Sequence, residues 1–139
     1  MVCLLLTVSQ YAFSSDVVVP EGSRCVECAM KVDPASPFIA VIRTAEGGDL
    51  FFCDIGDMLV YYKKLKEKPP GVSVRDMDSK EWLDAEKAHY VKAGFSTPMG
   101  WGIAAFKEEK EAAKAGAVMT LDEAVGSLGA PMKMKKHGT

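Results

Sequence analysis

Between Phe38 and Gly71 the chain carries a strand, a turn, a second strand and a helix in succession, and that order leaves few folds open. Phe38-Ile39-Ala40-Val41-Ile42-Arg43-Thr44 is rich in β-branched residues and reads as a strand. Glu46-Gly47-Gly48-Asp49 is a turn of hairpin length, and Leu50-Phe51-Phe52-Cys53 is the antiparallel partner. Asp54 offers an N-cap, with Asp57 three residues on as a weaker capping box, for a helix from Ile55 to Lys66. Ile55, Met58, Leu59, Tyr62 and Leu65 recur at offsets of three and four, so that helix has one face to bury. Pro69-Pro70-Gly71 stops it. Lys63, Lys64, Lys66 and Lys68 crowd its end, where cations complement the helix dipole and face solvent. Val72-Ser73-Val74-Arg75-Asp76 alternates as a third strand, completing a β-β-α-β unit.

The rest of the chain reads as a rougher copy. Asp78 to Ala88, with Trp82-Leu83-Asp84, is a loop or short turn leading to a strand near His89-Tyr90-Val91. Gly94 to Gly100 is irregular, and Trp101 to Phe106 reads as a strand. A helix from Lys107 to Ala115 ends at Gly116, and Ala117-Val118-Met119 is a short strand. Thr120-Leu121-Asp122-Glu123 is a capping box opening a last helix to Leu128. Phe52-Cys53 before one helix parallels Ala105-Phe106 before the other. The expected fold class is therefore α+β, two small β-β-α-β lobes in tandem over residues 38–77 and 78–128. Lobes this small bury little core alone, so they are expected to pack as one unit.

The ends have their own character. Val2 to Val8 is a short apolar run followed by Ala12-Phe13-Ser14-Ser15, which resembles a secretory signal peptide, although the positive leading region is missing. Residues 1–15 are expected to be that signal, and Cys3 would leave with it. Residues 16–37 read as an extended lead-in. Residues 129–139, charged and rich in Gly, Pro and Met, read as a solvated tail whose Met132, Met134 and His137 are incidental. A net charge of -2 gives no basic footprint for nucleic acid.

Chemistry is concentrated in the lead-in, at Cys25-Val26-Glu27-Cys28-Ala29-Met30. Two thiols and a thioether at this spacing can converge on one soft ion, and the ligand types favour Cu(I). Haem attachment is excluded, because Ala29 stands where it requires His. A mature chain would keep Cys25, Cys28 and Cys53, an odd number that leaves at least one without a partner for a disulfide. The plainer alternatives are a local Cys25–Cys28 disulfide and a Met30 that merely packs. Cys53 stands at a helix start whose dipole lowers a thiol pKa, but a buried, inert cysteine is the favoured reading. His89 is expected to pack or hydrogen-bond within its strand.

Two rival chemistries share these residues. A thiol–disulfide oxidoreductase would use Cys25 and Cys28, but its motif normally opens a helix and none follows here. A structural zinc knuckle would draw on Cys25, Cys28, Cys53 and His89. No nucleophile–base–orienter set and no Gly-rich phosphate loop can be read, so a binding protein is expected rather than an enzyme.

Four features, taken in order, resemble the NosL-type accessory proteins of nitrous-oxide reductase. They are Cys25-x-x-Cys28-x-Met30; Phe52-Cys53-Asp54 with Asp57-Met58; Trp82-Leu83-Asp84-Ala85 through Ala88-His89-Tyr90-Val91; and Met99-Gly100 through Ala105-Phe106. The resemblance covers Cys25 to Leu128. It implies a periplasmic or lipid-anchored Cu(I) chaperone of two small α+β lobes. Its implied partners are an apo cuproenzyme such as nitrous-oxide reductase, or a membrane copper transporter. It also implies that Met99 faces the first-lobe site, giving Cys25, Cys28, Met30 and Met99 as metal ligands. The chain departs from the family pattern at Ala29, commonly Gly, and at His89, usually aromatic. It also lacks a convincing lipid-attachment cysteine, which leaves membrane anchoring open.

Overall fold

The computed structural model describes residues 17–129. The hairpin forms as its turn residues demand. Thr44 N–H donates to the Gly48 carbonyl at 2.8 Å, Gly47 N–H donates to the Thr44 carbonyl at 3.0 Å, and Gly47 takes a φ of 86°. That φ is one a glycine adopts freely. The turn sets the register of β1 (Ala40–Arg43) on β2 (Asp49–Phe52), with Ala40 opposite Phe52 and Arg43 opposite Asp49. β3 (Gly71–Arg75) pairs with the other edge of β1, and β4 (Trp82–Asp84) pairs with β3. The first sheet thus runs β2-β1-β3-β4, antiparallel throughout.

The second half repeats the plan. β5 (His89–Lys92) lies between β6 (Ile103–Phe106) and β7 (Val118–Met119), again antiparallel. The order β6-β5-β7 reproduces β2-β1-β3. α1 (Ile55–Lys64) and α2 (Glu109–Ala115) occupy equivalent places in the chain, and α3 (Leu121–Gly126) closes it. The capping box forms as read, with Thr120 Oγ1 accepting from Glu123 N–H and Glu123 returning the bond.

Three local readings differ. Trp82-Leu83-Asp84, expected as loop, is a strand, and three residues are too few to show a period. Its Trp82 ring lies under the Arg75 guanidinium at 4.7 Å. β6 begins at Ile103 rather than Trp101, because Gly102 turns the chain at a φ of 66°. A Cβ at Gly102 would lie 2.5 Å from the Ala93 carbonyl oxygen, so only glycine fits. α1 ends at Lys64 rather than Lys66, with Leu65 already extended.

The larger of two buried clusters spans both lobes. Ile39, Ile42, Phe52, Ile55, Met58 and Leu59 pack in the same cluster as Tyr90, Ile103, Leu121 and Ala124. Each such side chain contributes about 1.5–3 kcal/mol on burial, so neither half is self-sufficient. Asp76 fastens the junction. Its backbone bridges to Ala105, and its carboxylate accepts N–H bonds from Ser79 and Lys107, both at 2.8 Å, and from Asp78 at 3.2 Å. Burial pushes this carboxyl's pKa up, but the N–H bonds outweigh burial and hold it below the ordinary value.

The expected signal at residues 1–15, with Cys3, lies outside the described residues, as do Met132, Met134 and His137 of the tail. Among the described residues no helix is long and apolar enough to cross a membrane.

Candidate metal centre

The cysteine segment folds into a small closed loop. Arg24 and Lys31 bridge, Cys25 N–H donates to the Met30 carbonyl at 2.8 Å, and Val32 N–H donates to the Ser23 carbonyl at 2.8 Å. Inside, Ala29 N–H returns to the Cys25 carbonyl at 2.8 Å, which requires Ala29 to take a φ of 63°. That left-handed conformation costs an L-residue with a Cβ about 1–2 kcal/mol. Val26 N–H donates to the Phe51 carbonyl at 3.0 Å, fastening the loop to edge strand β2. Cys25 is thereby buried to 2% exposure and Cys28 is half-buried.

The facing wall is the start of α1. Asp54 caps it: Oδ1 accepts from Gly56 N–H and Oδ2 from Met99 N–H, both at 2.9 Å. The 97–102 loop is thus held over the helix N-terminus. Burial raises the Asp54 pKa against the pull of these two bonds. Asp57 does not close the expected capping box. Its Oδ1 accepts from Trp101 Nε1 at 2.9 Å, while Oδ2 accepts from Cys25 Sγ at 3.5 Å and lies 3.9 Å from Cys53 Sγ. The indole ring lies flat enough on α1 that a Cβ at Gly56 would sit 2.0 Å from Trp101 Cγ.

Cys28 Sγ stands 3.3 Å from Cys53 Sγ, and all three thiols are free. One ligand atom from each of Cys25, Cys28, Cys53 and Asp57 lies within 4.8 Å of the others. A tetrahedral ion with metal–sulfur bonds of about 2.3 Å places its ligands roughly 3.8 Å apart, so this set can close on one ion with small movements. Burial raises the Cys28 pKa to about 11 and pushes Cys53 further, helped by the neighbouring thiols. Cys28 and Cys53 therefore hold their protons tightly, and a bound cation would have to displace them.

A sequence model of the NosL family matches residues 16–124, taking in the cysteine loop, both sheets and this wall. The chain belongs to the NosL family. The crystal structure of the copper chaperone NosL from Shewanella denitrificans has the same fold. Its TM-score is 0.68 at 19% identity, covering 77% of this chain and 92% of that one. No curated protein sequence matches the chain. The φ of Ala29 gives a physical reason for the glycine that NosL-type proteins commonly carry there.

Within this chain the residues singled out from sequence separate into groups. Cys25 and Cys28 converge, joined by Cys53, which is buried as expected but not isolated. The helix dipole does not lower the Cys53 pKa; burial overrides it. His89 stays in β5 opposite Phe106, so the zinc set that included it does not form, and Asp57 holds the fourth place. Met30 stands at the loop's end at 48% exposure, and Met99 is half-buried against the core. The cysteine motif runs through turns into a bridge rather than opening a helix.

Asp57 and Trp101 are the residues that sequence reading missed. Asp57 lies in the first turn of α1, three residues past the cap and close behind Cys53 in sequence, and that proximity was a usable signal. Trp101 carried no signal, since its partner lies 44 residues away.

Proposed function

We propose that this protein is an extracytoplasmic copper carrier, binding one Cu(I) ion among Cys25, Cys28, Cys53 and Asp57. The observation that supports it most is the convergence of three free thiols and a carboxylate at the covered start of α1. Membership of a family whose Shewanella denitrificans representative is a copper chaperone points the same way. Thiolates suit a soft monovalent ion. Half-buried Cys28 and exposed Met30 are the sulfur residues of the loop that reach solvent, where an acceptor's ligands would enter and replace the carrier's one at a time. In this reading Met30 and Met99 are auxiliary thioether ligands. The acceptor is an apo cuproenzyme such as nitrous-oxide reductase. The protein acts as a carrier rather than a thiol–disulfide oxidoreductase: the cysteine motif runs through turns into a bridge instead of opening a helix, and burial raises the Cys28 pKa.

The test is an anaerobic titration of reduced protein with Cu(I) against a coloured chelator. One tight equivalent is expected, weakened at least about a hundredfold when Cys25→Ser and Cys28→Ser are combined. The same four-atom set is also compatible with structural zinc. Tight zinc binding, with unfolding on its removal, would establish that reading instead.

A further inference from the structure

We infer that Trp101 is a positioning residue for the ion, holding Asp57 so that one carboxylate oxygen faces the thiols. The inference rests on the metal-binding reading above but concerns a residue outside the ligand set. An indole N–H is a donor only, so it cannot compete for a cation and can serve only an acceptor. Here it takes Asp57 Oδ1 at 2.9 Å. The other oxygen, Oδ2, is left towards Cys25 Sγ at 3.5 Å and Cys53 Sγ at 3.9 Å. An ion bound through these sulfurs, their protons released to solvent, would have Oδ2 facing it. Oδ1 remains tied back. The ring cannot drift, because it lies against the backbone of α1 at Gly56, where any side chain would collide with it. The 97–102 loop that delivers it is itself pinned by the bond from Met99 N–H to Asp54. A ligand from one half of the duplicated fold is thus aimed by a residue from the other.

A double-mutant cycle separates aiming from packing. Cu(I) affinity would be measured for the wild type, Trp101→Phe, Asp57→Asn and the double variant, by chelator competition. Trp101→Phe is expected to weaken binding about tenfold, as loss of an outer-shell partner does, and Asp57→Asn, which removes a ligand, at least as much. The double variant should be no weaker than Asp57→Asn alone. Replacing Trp101 with benzothienylalanine keeps the ring on Gly56 and removes only the N–H; it should fold like the wild type and lose the same tenfold. Additive losses in the cycle, or full affinity with the benzothienyl residue, would overturn the inference while leaving copper binding intact. Absence of Cu(I) binding by the wild type would instead overturn the carrier reading, and this one with it.

Discussion

The two helices that follow the two hairpins occupy the same place in a repeated plan, yet their N-termini have opposite fates. At the start of α1 every residue from Asp54 to Leu59 is buried, and Asp54 satisfies both the helix and the 97–102 loop. At the start of α2 Glu108 makes no side-chain cap bond, Glu109 and Lys110 are exposed, and only Ala112 is buried along the whole helix. Duplication supplies the scaffold twice. A site arises only where other segments roof the helix end, because burial of its free N–H groups then demands acceptors and excludes water. The cysteine loop and the 97–102 loop do this for α1.

The contrast can be tested most severely at the caps. Asp54→Ala should cost about 3 kcal/mol, since it strands one buried and one part-buried N–H group, whereas Glu108→Ala should cost less than about 0.5 kcal/mol. Denaturant midpoints measure both, and equal losses would erase the distinction. Glycines give the next largest difference. Gly56→Ala must push the Trp101 ring aside and should cost about 2 kcal/mol. Gly126→Ala, with nothing within 4 Å of its Cβ, should stabilise by about 0.5 kcal/mol. Thermal melts would show whether the signs differ.

Asp76, which ties the halves together, allows a test by pH. Its folded pKa lies below the ordinary value of 3.8, so the unfolded chain binds this proton more readily. The stability it contributes is present above that value and is lost as pH falls through it towards the folded pKa. Asp76→Asn should flatten that part of the acid-unfolding curve, and an unchanged slope would show that the junction does not depend on this carboxylate. The smallest effect is expected in the cysteine loop. Ala29→Gly should stabilise by about 0.5–1 kcal/mol by relieving the positive φ, while Ala113→Gly in exposed α2 should lose about 1 kcal/mol.

Several parts of this structure were legible as local pattern. The helical period from Ile55, the Gly47-Gly48 turn and the Thr120–Glu123 box each depend on residues within a few turns of each other, and each formed, with α1 ending one residue before Leu65. Trp82–Asp84 was not legible, because β4 exists through its pairing with β3 rather than through its own three residues. At the site, the spacing of Cys25 and Cys28 marked their loop as a candidate metal site. The fate of Cys53, Asp57 and Trp101 depended on contacts the chain makes far from itself.

Strand and helix periods, the repeated β-β-α-β order and the soft-ligand character of the cysteine loop are properties of neighbouring residues and could be read from them. That Cys25 meets Asp57 across 32 residues, that Trp101 reaches the same carboxylate across 44, and that His89 stays apart followed from the packed fold. The reason is physical. Helix and strand patterns are written in short-range sterics and burial, whereas a shared site is set by which loops the packed core brings over one helix end.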